Sequence, residues 1–67
     1  MSRVTIRTIL PAGDPDEIAE RLSIMARSMG VDVHGIATGC VGGGTLVELT
    51  VPICHEAAAS AALRMLA

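Results

Sequence analysis

Aromatic side chains are missing altogether from this sequence, and so are lysine, asparagine and glutamine. The cationic residues are five arginines, set against seven carboxylates for a net charge of −2. Proteins that hold nucleic acid present a basic stripe and aromatic stacking platforms. This composition supplies neither, so no nucleic-acid partner is expected. Cysteine is scarce as well, at two residues, and Met1–Arg7 has arginines inside its first apolar segment where a secretory leader has an unbroken apolar core. A disulfide framework is therefore not expected, and the expected compartment is the cytoplasm. No run approaches the roughly 20 apolar residues of a membrane helix, so no membrane partner is expected. Abundant alanine, glycine, valine and arginine beside these gaps suggest a GC-rich, bacterial gene.

The 67 residues fit one domain, 1–67. A chain this short buries only about 60% of the surface its unfolded form exposes. One core of that size rarely supplies more than about 3–5 kcal/mol without a disulfide, a metal or a partner subunit. A partner subunit is the remaining support, and a homo-oligomer, dimer or larger, is expected.

Arg3 to Leu10 alternates, with Val4, Ile6 and Leu10 on one face and Arg3, Thr5 and Arg7 on the other, the period of a half-buried strand. Pro11-Ala12-Gly13 ends it. Asp14-Pro15-Asp16-Glu17 then reads as a helix start: Asp14 as N-cap, Pro15 at the first helical position, Glu17 reaching back as in a capping box. Ile18, Leu22, Met25 and Met29 form the buried stripe, with Ala19 and Ala26 beside it and Glu17–Arg21 as an exposed pair. Methionines at this spacing are core filler. Gly30 is the helix stop.

A second strand is expected over Val31–Thr38, with a bulge at Gly35 where the apolar phase shifts. Gly39–Gly44 reads as a flexible hairpin connection. Thr45–Ile53 is the clearest strand, Val47, Leu49, Val51 and Ile53 alternating against Leu46, Glu48 and Thr50, with Pro52 limiting its pairing. His55–Ala67 reads as an alanine-rich helix facing the sheet with Ala58, Ala62, Met65 and Leu66.

Strand, helix, strand, strand, helix is the order of an α+β, ferredoxin-like β-α-β-β-α sandwich. Its antiparallel sheet carries two helices on one face, with the third strand between the first and second. The usual form adds a fourth strand beside the first. Its absence leaves the first strand as an open edge, a template for pairing with another chain. The outer sheet face is expected to carry Ile9, Leu46 and Ile36 among polar residues. Thr5, Arg7, Ile9, Leu46 and Glu48 are the candidate oligomer interface, with Arg3 and Arg7 able to pair with Glu48 across the strands.

Asp14-Pro15, the helix Ile18 to Met29, then Gly30-Val31-Asp32-Val33-His34-Gly35-Ile36 and Gly44-Thr45-Leu46-Val47-Glu48-Leu49 together resemble the ACT domain across nearly the whole chain. The resemblance implies a small regulatory module that binds an amino acid or similar polar metabolite at a subunit interface. The corresponding positions are Ala12, Gly13 and Asp14 in the turn and His34, Gly35 and Ile36 in the second strand. The sequence departs from that pattern in two places: the glycine that follows the proline is Asp16 here, and the fourth strand is missing. Asp14, Asp16 and Glu17 also put negative charge where a ligand carboxylate would meet a helix N-terminus. Plain capping of the helix is the competing role of that turn.

Cys40, Cys54, His34 and His55 are the soft metal ligands, but no CxxC or helically spaced histidine pair joins them. No metal and no cofactor are expected, and a metal carrier ranks last among the readings. Cys54 is expected to be buried at the strand–helix junction, His55 to face solvent and Cys40 to be exposed. A thiol beside an imidazole is the start of a nucleophilic site, but nothing marks the orienting group and oxyanion donors such a site also needs. The glycine run 42–44 lacks the Lys-Ser/Thr and the helix of a phosphate loop. The chain is therefore expected not to be an enzyme. Beside the ligand-binding reading stands an interaction or assembly module that docks a partner protein on the first-strand edge or the outer face.

Overall fold

Alternating side chains settle the sheet layer of the structure, a computed structural model that describes residues 2–11 and 13–66. The chain runs β1 (Arg3–Leu10), α1 (Pro15–Ser28), β2 (Gly35–Val41), β3 (Gly44–Pro52), a 3-10 turn (Ile53–His55) and α2 (Glu56–Leu66). It is a small α+β domain with one antiparallel sheet in the order β1-β3-β2. In β3, Val47, Leu49 and Val51 are wholly buried. Opposite them, in register on the same face, stand Thr8, Ile6 and Val4 of β1 and, for Val47 and Leu49, Thr38 and Ile36 of β2. Ile18, Leu22 and Ala26 of α1 and Ala59, Ala62 and Leu63 of α2 pack on that face. The other face of the sheet is left uncovered by either helix.

Helix α1 starts where Asp14, in extended conformation, accepts the Asp16 amide on its side chain at 3.1 Å. Pro15 at the first position gives up no hydrogen bond, since that amide has no partner in any helix. At the other end the Gly30 amide donates to Arg27 and the Val31 amide to Ala26 (3.1 and 2.9 Å). Gly30 itself is left-handed at φ +74°. This double closure is a Schellman motif, and it seats Val31 on the helix it has just left.

Several expectations need correction. Val31–His34 is not strand: Val31 is buried and Val33 packs against the core, but as a lead-in outside the ladder. The strand begins at Gly35, where the His34 amide already reaches the Thr50 carbonyl (2.9 Å), the oxygen of Gly35's own register partner. His34 is thus tied to the end of the ladder without belonging to the strand, and no paired residues precede it to make Gly35 a bulge. β2 then continues to Val41, so the connection to β3 shrinks to Gly42 and Gly43, both at positive φ (46° and 89°). Ile36 lies opposite Leu49 on the helix-covered face, not on the outer one. β3 ends at Pro52, and the 3-10 turn rotates Ile53 and Cys54 into solvent, so neither is buried. Met29 caps α1 half-exposed instead of joining the stripe, and on α2 Leu63 turns inward while Met65 points out. Ala58 and Leu66 are only partly buried against the core.

Candidate functional site

The ligand positions suggested by resemblance do not come together within one chain. The turn Gly13–Asp14 lies at the sheet end where Leu10 pairs with Thr45, whereas His34 and Gly35 lie at the end marked by Thr50. Five residues of β3 separate those levels, roughly 17 Å at strand rise. The turn is also occupied by its own contacts. Thr45 donates its hydroxyl to the Gly13 carbonyl (3.0 Å), and a side chain at Gly13 would press on Ile18 Cδ1 at 2.7 Å. Asp14 is engaged as the helix cap. Ala12 lies outside the described residues.

At the opposite end the fold assembles a polar cluster that spacing alone did not announce. His55 Nδ1 accepts the Asp32 amide (3.1 Å), and the Asp32 carboxylate lies 3.4 Å from His34 Nε2. His55 is thus half-buried and engaged, not free in solvent as expected. Accepting at Nδ1 leaves Nε2 as the protonated nitrogen of the neutral ring. The cluster ties the lead-in of β2 to the turn before α2. Among the described residues, no three His, Cys, Asp or Glu side chains are placed to hold a metal ion. Cys40 and Cys54 are both exposed free thiols, as was expected for Cys40 alone.

On the uncovered face the strands place Ile9–Leu46–Gly39, Arg7–Glu48–Ala37 and Thr5–Thr50–Gly35 in successive rows. Arg7 pairs with Glu48 at 3.1 Å and Thr5 with Thr50 at 3.0 Å through their hydroxyls. Ile9 is 63% exposed at the hairpin end of this face. Arg3 instead faces Pro52. All five candidate interface residues therefore share one surface.

The edge of β1 is the second open feature. The Ile53 amide donates to the Ser2 carbonyl (3.2 Å), one step beyond Arg3↔Pro52. Hydrogen-bonded pairs recur every second residue in an antiparallel ladder. Val4, Ile6, Thr8 and Leu10 thus spend their backbone groups on β3, while Arg3, Thr5, Arg7 and Ile9 turn theirs outward. The His34–Thr50 bond supports this parity from the other side, since it assigns the even residues of β3 to β2. Along the open edge runs a groove of about 240 Å³ between β1 and α2, lined by Ile6, Arg7, Thr8, Ser60, Leu63 and Arg64. Ser60 and Arg64 were missed as site residues, because an alanine-rich helix gives little contrast from which to phase its faces.

Fold and site together define a class: among the described residues, a two-layer α+β domain with one bare sheet face and an unpaired strand edge beside a shallow groove. No family model, curated protein or solved structure matches the chain. Among the described residues, no helix is long and apolar enough to cross a membrane.

Proposed function

We propose that this chain is a non-catalytic assembly module of ferredoxin-like type whose open β1 edge accepts an extended segment of a partner protein as a fourth strand. The observation that carries this is the coincidence of two things in one place. Backbone donors and acceptors of Arg3, Thr5, Arg7 and Ile9 point outward, and a groove floored by Ile6 and Leu63 lies beside them. Strand addition uses this pair of features, with main-chain hydrogen bonds for affinity and alternate side chains for specificity. Free thiols at Cys40 and Cys54 suit a reducing, cytoplasmic setting.

The test appends a strand after Ala67 through a flexible Gly-Ser linker, so that docking becomes intramolecular at an effective concentration near the millimolar range. Expected are slowed hydrogen exchange at the Thr5, Arg7 and Ile9 amides and a higher melting temperature. Both gains should vanish in Thr5→Pro, which removes one outward donor at a position where an edge strand tolerates proline. A tail that leaves those three amides exchanging as before sinks the reading.

A second reading, self-association, is favoured by β2. From Gly35 to Val41 its open edge carries no charged residue, and uncharged edges are the ones that pair with copies of themselves. An amino acid or similar small polar metabolite held between subunits would belong to such an assembly. Within one chain, the turn and the start of β2 stand too far apart to share it.

A further inference from the structure

The charges around the β1 edge narrow what it can accept. Arg7 and Arg64 both line the groove, Arg7 from the strand and Arg64 from the last turn of α2, and Arg3 shares the outer face and open edge of β1 with Arg7. Three of the five arginines in the chain thus sit at one edge. Most of the acidic residues lie elsewhere: Asp14, Asp16, Glu17 and Glu20 around the start of α1, and Asp32 in the cluster with the histidines. Two acidic groups do face this region. Glu48 bonds Arg7 across the outer face, and Glu56 begins the helical row that continues through Ser60 to Arg64. Glu56 lies two turns before Arg64, and Glu48 offsets Arg7 without reaching the charge of Arg64. The Arg7 side chain is 70% exposed in its pair with Glu48, and an ion pair that open to water holds its partners only weakly.

From this arrangement, and resting on the strand-addition reading above, we infer that the β1 edge selects an acidic extended segment of another protein. That segment places apolar side chains toward Ile6 and Leu63 and carboxylates at the level of Arg7 and Arg64. The same charges disfavour a second copy of this chain at that edge. Pairing β1 with β1 would bring Arg3, Arg7 and Arg64 of both copies onto one seam, with Glu48 and Glu56 alone to offset them. Charged edge residues discourage unwanted strand pairing. Like charges across an interface reject wrong partners, while opposite charges fix register and speed encounter. Arginines here exclude a basic or self-complementary strand and admit an acidic one.

Three synthetic seven-residue peptides test the inference, valine alternating with glutamate, glutamine or lysine, each titrated into the isotopically labelled protein by NMR. Glutamine matches glutamate in size, so the first two isolate charge. The glutamate peptide is expected to shift the Thr5, Arg7 and Ile9 amides and to bind about tenfold tighter than the glutamine peptide at low salt. That advantage should shrink to under about threefold near 0.5 M salt, as screening predicts. In the Arg7→Gln/Arg64→Gln variant, both sites being exposed, the glutamate peptide's advantage over the glutamine peptide should disappear. Equal binding of the glutamate and glutamine peptides by the unaltered protein overturns the acidic preference and leaves strand addition standing. So does a salt-independent difference between them. Binding of the glutamate peptide that shifts amides away from β1 overturns the inference, as does a failure of all three peptides to shift the β1 amides. The appended-tail experiment then decides separately whether strand addition itself survives.

Discussion

A single methyl group should separate two glycines that look alike in the sequence. At Gly44 a Cβ would stand 2.7 Å from the Leu10 carbonyl and 3.0 Å from Ile9 Cγ2, so β1 and β3 close over it with no room to spare. Gly39, four residues after Gly35 in β2, meets nothing within 4 Å. Gly44→Ala is expected to lower stability by about 1–3 kcal/mol, the cost of overpacking a tight contact. Gly39→Ala should be neutral or stabilising by up to about 1 kcal/mol, because it restricts the unfolded chain without strain. Urea denaturation of both variants checks the pair, and equal losses would show that the close approach at Gly44 does not matter. By sequence, Gly42, Gly43 and Gly44 are alike within one flexible hairpin connection. What distinguishes Gly44 from Gly42 and Gly43 is a strand that lies far back along the chain, and no local pattern records it. The same applies to His55, whose partner Asp32 is 23 residues away.

Elements were legible where several local signals agreed. Asp14, Pro15 and the apolar period of α1 point to one start, and Gly30 with Val31 marks one end, so that helix appears where expected. Asp14→Ala should cost about 1 kcal/mol through the lost cap, read as a lower melting temperature with the sheet signals otherwise retained. Full retention of stability would mean that the Asp16 amide finds water as good a partner. Helix α2 was found but its face was misjudged. Ala57, Ala58, Ala59, Ala61 and Ala62 are chemically identical, and which of them is buried depends on the angle at which the 3-10 turn delivers the helix. β2 was displaced for a related reason. Val31 and Val33 do bury apolar surface, as alternation says they should, but they spend it on α1 and the core without joining the ladder.

For the whole molecule, the two sheet edges differ in kind. β1 is guarded by arginines and flanked by a groove, whereas β2 is neutral and rich in small residues. If copies associate through β2, as the self-association reading has it, a lysine there should interfere. Ala37→Lys, at an exposed position on the uncovered face, is expected to shift an oligomer to monomer in light scattering at micromolar concentration with little effect on the monomer's fold. An unaltered mass would exclude β2 as the contact. Strand order and edge were readable in advance because β-α-β-β-α connections leave few topologies open. The groove was not, since it depends on how far α2 stands off β1.

The order β1-β3-β2 also bears on which strands are expected to pair first. β3 meets β2 across pairs from Val41↔Gly44 out to Gly35↔Thr50, 3 to 15 residues apart, whereas it meets β1 across pairs 35 to 49 residues apart, from Leu10↔Thr45 to Arg3↔Pro52. A hairpin closes on the order of microseconds, while the longer closure carries a larger entropic cost before any contact repays it. Of the three strands, β1 is thus expected to dock last, and until it does β3 shows water the backbone edge that β1 will cover.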